Sequence, residues 1–212
     1  MLDRFLNAAL RRPLQRIASG LVAMGLHVDQ VTWAGFVVGL SAIPLIALGH
    51  ADWALLSIAL NRLADGLDGT MARLTHPTDL GAFLDISLDF LFYASIPLAF
   101  VLADPVGNGL AGALLIYSFV GTGCTFLAFA VLAAKRGSTS AAHPAKGFYY
   151  LGGLTESTET IAVFVLMCLV PQWFAWLAYG FAGLCALTTV TRIAAGMSVF
   201  KSEKRPGTSH GQ

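Results

Sequence analysis

Apolar residues run in long blocks, and short polar or Gly/Pro segments separate them. A membrane-crossing helix needs about 20 mainly apolar residues. Six stretches meet or approach that length: 31–48, 53–74, 80–102, 110–133, 152–170 and 173–199. Gly49-His50-Ala51-Asp52 and Asp104-Pro105-Val106-Gly107-Asn108 read as breaks between spans, and 134–151 as the longest loop. Ahead of the first span, Arg4, Arg11, Arg12 and Arg16 alternate with Leu2, Phe5, Leu6, Leu10, Leu14 and Ile17. That pattern predicts an interfacial amphipathic helix, with Pro13 as a kink point, and not a cleavable signal. The expected fold is an all-α integral membrane protein of six transmembrane helices preceded by a cytoplasmic amphipathic helix. It forms one domain over 1–212: amphipathic segment 1–30, six-helix core 31–199, polar tail 200–212.

Composition agrees. Hydrophobic residues make up 56% of 212 positions and charged residues 12%, with a mean hydropathy of +0.70. Soluble chains average about 25% charged residues. A net charge of +1 points to no nucleic-acid partner. All 13 Lys and Arg residues fall on one side of the six-span arrangement, or in the half of a span nearest it. The positive-inside rule then puts both termini and the 134–151 loop in the cytoplasm. Cys124, Cys168 and Cys185 lie in apolar stretches and read as small buried hydrophobes. The five histidines (His27, His50, His76, His143, His210) show no ligand spacing.

Ionisable groups inside spans are costly and by default functional. Asp65 and Asp68 interrupt the second span, and Asp85 and Asp89 the third. Spacings of three and four put each pair on one helix face. The two spans make a hairpin centred near Pro77. Asp65 and Asp89 each lie 12 residues from it, and Asp68 and Asp85 nine and eight, so antiparallel packing brings all four to one depth. Four adjacent carboxylates repel one another, and hard divalent cations with oxygen ligands relieve this. Two such ions can clamp the attacking and leaving oxygens of a phosphoryl displacement. Gly66, Gly69 and Gly81 remove side chains nearby for close substrate approach, and Arg73 offers a fork for phosphate. On spacing alone, a proton or ion pathway, or glycines serving only helix packing, remain open.

The segment from Asp65 to Asp89 reads D-x-x-D-G-x-x-A-R…G-x-x-x-D-x-x-x-D. It resembles the signature of the CDP-alcohol phosphotransferase (phosphatidyltransferase) family at all eight fixed positions. Around Gly152-Gly153-Leu154-Thr155-Glu156 the resemblance is strongest to inner-membrane members from Gram-negative bacteria. The resemblance implies that Asp65, Asp68, Asp85 and Asp89 bind Mg²⁺ or Mn²⁺, two ions in all, and that Asp89 is the base that deprotonates the acceptor hydroxyl. It implies that Gly69, Ala72, Arg73, Thr78 and Gly81 line a pocket for the CDP-lipid. Asp29, Gln30, Val31 and Thr32 join them through a Pro-Asp-x-x-Thr-like element in which Val28 replaces the proline. It further implies a homodimer in a bacterial inner membrane. The implied activity transfers a phosphatidyl group from CDP-diacylglycerol to a small polar alcohol and releases CMP.

The acceptor is less sharply marked. Lys135, Arg136, Lys146 and Arg192 are candidates for a phosphorylated acceptor such as glycerol phosphate. Lys135 and Arg192 are the working pair, although positive-inside anchoring also accounts for the three loop cations. Glu156 and Glu159 share a face at the start of the fifth span. Thr160 stands where relatives using inositol phosphate carry arginine, which weakens that acceptor and leaves glycerol phosphate or an unphosphorylated alcohol. Two alternatives differ in class: a CDP-choline or CDP-ethanolamine phosphotransferase, and a non-enzymatic transporter using the acids.

Overall fold

The computed structural model describes residues 2–135, 155 and 157–201, with side chains from Arg12 onward. Among the described residues, eight α-helices follow one another: α1 (Leu2–Ala23), α2 (Val28–Leu40), α3 (Ala42–Ala47), α4 (Ala51–Leu74), α5 (Asp79–Ala103), α6 (Pro105–Lys135), α7 (Ser157–Leu169) and α8 (Phe174–Lys201). No strand occurs among the described residues.

Among the described residues, four stretches are long and apolar enough to cross a membrane: Val28–Ala47 (α2 with α3), Asp79–Ala103, Pro105–Lys135 and Pro171–Lys201. The expected second span, α4, has the length, with 24 residues. It carries Asp52, Arg62, Asp65, Asp68 and Arg73, and so lacks the apolar character of the other four. The expected fifth span is a 13-residue helix, α7, in its described part; Gly152–Leu154 and Glu156 lie outside the described residues.

Local chemistry explains the ends. Thr78 caps α5 by accepting the Gly81 N–H at 3.0 Å. At α2, the Gln30 side-chain oxygen accepts the His27 N–H at 3.0 Å, the return half of a capping box. Gly49 turns the chain into α4 at φ +83°. The break expected over 104–108 falls between α5 and α6 but narrows to Asp104 alone. Asp104 Oδ1 accepts the Gly107 N–H at 2.9 Å and Pro105 takes the first helical position, so α6 starts at once.

The apolar core lies between α3, α4, α5, α6, α7 and α8. Phe92, Phe164 and Phe174 are its largest fully buried side chains, and Phe174 stacks on Phe100 at 4.4 Å between centroids. A smaller cluster of Ala18, Leu67 and Met71, with Val31 against it, joins α1 and α2 to α4. Cys168 and Cys185 are buried as expected; Cys124 is exposed on α6. Exposed Trp, Leu, Val and Ile residues on the outward helix faces suit lipid contact.

Candidate active site

Helices α4 and α5 follow one another through a turn between Leu74 and Asp79. They are not packed closely together as expected, because α2 and α3 pack against both and the two meet through polar side chains such as Arg62 and Asp89. Asp65, Asp68 and Asp85 each present a carboxylate oxygen, all within 4.8 Å of one another, and Asp68 is buried. All four aspartates, with Thr32, Gly35, Asn61 and Arg62, line one small cavity of about 20 Å³. That space suits a single water or ion, and an all-oxygen donor set suits a hard divalent cation. The residues present therefore fit the implied metal.

Asp89 stands apart from the three-carboxylate group. Its Oδ1 accepts Arg62 Nη2 at 2.6 Å, and Arg62 Nη1 lies 3.5 Å from Asp65 Oδ2. Arg62 is held on every side. Its Nε and Nη2 donate to Asn61 Oδ1 at 2.9 and 2.7 Å, and its Nη1 donates to the Tyr93 hydroxyl at 3.2 Å. The guanidinium also lies over the Phe92 and Tyr93 rings, 5.0 and 5.4 Å from their centroids. Asn61 in turn donates to the Gly35 carbonyl at 3.0 Å, which anchors the group to α2. Composition and charge pattern class Arg62 with the membrane-anchoring cations. The signal that distinguishes it is a buried cation three residues before an aspartate, on the same helix face.

Two larger cavities flank the cluster. One, of about 570 Å³, is lined by Asp29, Thr32, Asp68, Gly69, Ala72, Thr78, Gly81 and Asp85 among others. This gathers most of the residues expected for the CDP-lipid. Gln30 and Val31 do not line it, because Gln30 is spent on the α2 cap and Val31 packs into the small apolar cluster. Arg73 does not line it either: its Nη2 donates to Thr70 Oγ1 at 3.0 Å, and its Nη1 lies 3.6 Å from where a Gly69 Cβ would stand. Gly66 instead faces Leu14 of α1, at 3.3 Å from an added Cβ, so it serves helix packing.

The other cavity, of about 450 Å³, lies beyond Asp85 and Asp89. Its walls carry Phe90, Tyr93, Phe119, Thr122, Phe126, Thr155, Ser157, Thr160, Cys185 and Arg192. Arg192 donates from Nη1 to the Thr122 carbonyl at 3.1 Å and lies over Phe126. Lys135 is exposed at the end of α6 and does not line the cavity; Arg136 and Lys146 lie outside the described residues. Asp85 is the residue shared by both larger cavities.

Two successive helices carrying clustered carboxylates between two cavities define a membrane protein with an enzyme-like polar site. The CDP-alcohol phosphatidyltransferase sequence profile matches residues 26–199, and the chain belongs to that family of phospholipid-synthesising transferases. It is 52% identical over 205 residues to the inner membrane protein YnjF of Escherichia coli, across 97% of this chain and 100% of that one. It is 35% identical over 88 residues to archaetidylinositol phosphate synthase of Pyrococcus horikoshii, covering 41% of this chain and 47% of that protein. The fold is similar to that of phosphatidylinositol phosphate synthase PgsA1 of Mycobacterium tuberculosis with CDP-DAG bound. There the TM-score is 0.68 at 21% identity, over 92% of this chain and 100% of that chain. PgsA1 in complex with manganese and citrate gives the same score.

Proposed function

We propose that this protein transfers the phosphatidyl group of CDP-diacylglycerol to the hydroxyl of a small polar alcohol, glycerol 3-phosphate or another alcohol, and releases CMP. The observation that carries this reading is the position of Asp85, between a cavity built from the family's nucleotide-pocket residues and a separate hydroxyl-lined cavity. A donor in the first and an acceptor in the second meet beside the carboxylate cluster.

In this reading Asp65, Asp68 and Asp85 hold Mg²⁺ or Mn²⁺, with Asp89 completing the acidic set. The bound cation neutralises phosphate charge as it builds on the leaving nucleotide. Asp89, in the wall of the second cavity, accepts the acceptor's hydroxyl proton. The freed oxygen attacks the phosphorus nearest the diacylglycerol, and the bond to the CMP phosphate breaks. Gly69, Ala72 and Gly81 keep the donor cavity open, while Asp29 and Thr32 offer oxygens to the nucleotide. Arg73, whose guanidinium lies beside Gly69, offers its fork to phosphate, and Arg192 orients the acceptor. The protein's contribution is positioning and preorganised charge.

The 13 cations on one side support a cytoplasmic active site and termini in an inner membrane. On the same reading α4 and α7 complete six spans, α1 lies along the interface, and the protein works as a homodimer. PgsA1 with manganese and PgsA1 with CDP-DAG support the choice of assay components. The test is CMP release by protein in nanodiscs with CDP-diacylglycerol, Mg²⁺ or Mn²⁺ and a panel of alcohols. Metal-dependent release with one acceptor is expected, reduced about 10²–10⁴-fold in Asp89→Asn. Silence with every acceptor, together with no binding of nucleotide or metal, would sink the reading and favour transport.

A further inference from the structure

We propose that Arg62 is a resident cation of the active site, fixed between Asp65 and Asp89 in the place a second metal ion would take, so that each protomer binds one divalent cation. The inference rests on the metal reading above and deepens it.

The carboxylates divide into two groups. Asp65, Asp68 and Asp85 present oxygens within 4.8 Å of one another and form the only such group of three or more metal-ligating residues among the described residues. Asp89 is outside that group and is bound instead to Arg62 Nη2 at 2.6 Å, a charge-assisted contact. The same guanidinium reaches Asp65 at 3.5 Å. One positive group thus bridges a carboxylate from each of the two helices.

That bridge is built into the fold. An arginine merely filling a vacant space would be free to swing away when cations arrive. Here three guanidinium nitrogens are engaged by Asn61, Tyr93 and Asp89, and two aromatic rings lie against the plane. Asn61 itself is pinned to the Gly35 carbonyl. The Arg62 side chain is only 16% exposed, so leaving this seat strands Asn61 and Tyr93 without their partner. A fixed positive charge beside Asp89 also repels a second divalent ion, and the repulsion is strong where water is scarce.

The consequence for the reaction is positional. Tyr93 and Arg62 both contact Asp89, and Tyr93 lines the acceptor cavity. Arg62 therefore holds the Asp89 carboxylate at the acceptor side, as a positioning residue that touches no substrate. A side chain in this role cannot be lost or exchanged with the medium, as a weakly held ion can.

The experiment is Mn²⁺ binding at saturation to purified protein in detergent, read as ions per protomer, on wild type, Arg62→Gln, Arg62→Lys and Asp68→Asn. One ion in wild type and in Arg62→Lys, and two in Arg62→Gln, is the expected result, with Asp68→Asn losing the ion. Two ions in wild type overturn the proposal and leave the metal reading intact, as does one ion in both wild type and Arg62→Gln. No ion in any of them brings down the metal reading itself. Should Arg62→Gln not fold, two ions in wild type or Arg62→Lys still overturn the proposal, and one in both supports it. Steady-state CMP release supplies a second readout: Arg62→Gln should lower kcat while the KM for CDP-diacylglycerol stays within about twofold, with partial recovery in Arg62→Lys. A donor KM that rises in step with the fall in kcat counts against the positional role.

Discussion

The hydroxyls of Tyr93 and Ser157 lie 2.6 Å apart and join α5 to α7 across the wall of the acceptor cavity. Tyr93 also takes a hydrogen bond from Arg62, so the pair continues a polar chain from α4 to α7. Removing the Tyr93 hydroxyl loses a neutral bond of about 1 kcal/mol and one from charged Arg62 of about 1.5–3 kcal/mol. Tyr93→Phe keeps the ring packed on Phe92 and Phe164. It should therefore lower the unfolding temperature without abolishing the fold while raising the acceptor KM in the CMP-release assay. An unchanged acceptor KM would show that the chain of hydroxyls is structural only.

Arg192 and Lys135 are separable by position. Arg192 lines the acceptor cavity, whereas Lys135 is exposed at the end of α6. Arg192→Gln should raise the acceptor KM with little change in the donor KM; the loss of one hydrogen bond to a charged group is about 1.5–3 kcal/mol, roughly 10–150-fold. Lys135→Gln should leave both constants within about twofold. Equal effects from the two substitutions would place acceptor recognition outside this cavity.

Metal removal tests the carboxylate group directly. Chelation with EDTA should abolish CMP release, and Mg²⁺ or Mn²⁺ should restore it. Asp68 is buried among the three carboxylates, so Asp68→Asn removes a ligand without opening the fold. The expected outcome is no recovery at metal concentrations that restore wild type, with the unfolding temperature held or raised, since one mutually repelling charge is gone. Full activity in EDTA would exclude a metal role for these aspartates.

That the four aspartates line one cavity is legible from spacing alone, because a 3.6-residue period and a turn near Pro77 determine which side chains share a depth; that α2 and α3 pack against both helices is not. Side-chain competition is not legible in that way. Gln30 sits inside a family-like element yet satisfies a helix N-terminus, and Gly66 belongs to the signature neighbourhood yet packs on Leu14. Which way a side chain turns depends on neighbours far along the chain. Arg62 is the plainest case: its partners Tyr93 and Asp89 lie 31 and 27 positions away. At Asp104-Pro105 the break is legible but its length is not, since the residues that end one helix also start the next.

Gly39 and Gly180 give opposite expectations for one substitution. A Cβ on Gly39 would stand 2.8 Å from Asn61 Nδ2 and 2.9 Å from Phe92 Cδ2. Both neighbours are buried and committed, Asn61 to the Gly35 carbonyl and to Arg62, and Phe92 to the core. Neither can yield several tenths of an ångström freely, so Gly39→Ala should cost about 1–3 kcal/mol. It should also lower kcat, because moving Asn61 loosens Arg62 and with it Asp89. Gly180 lies inside α8 with nothing within 4 Å of an added Cβ. There Gly180→Ala should stabilise by roughly 0.5–1 kcal/mol, through the helix preference for alanine, and leave turnover unchanged. Thermal unfolding and CMP release on the two variants together separate the claims. If Gly39→Ala melts earlier but turns over normally, close helix packing and the Asn61–Arg62–Asp89 link are independent, and the latter does not position Asp89.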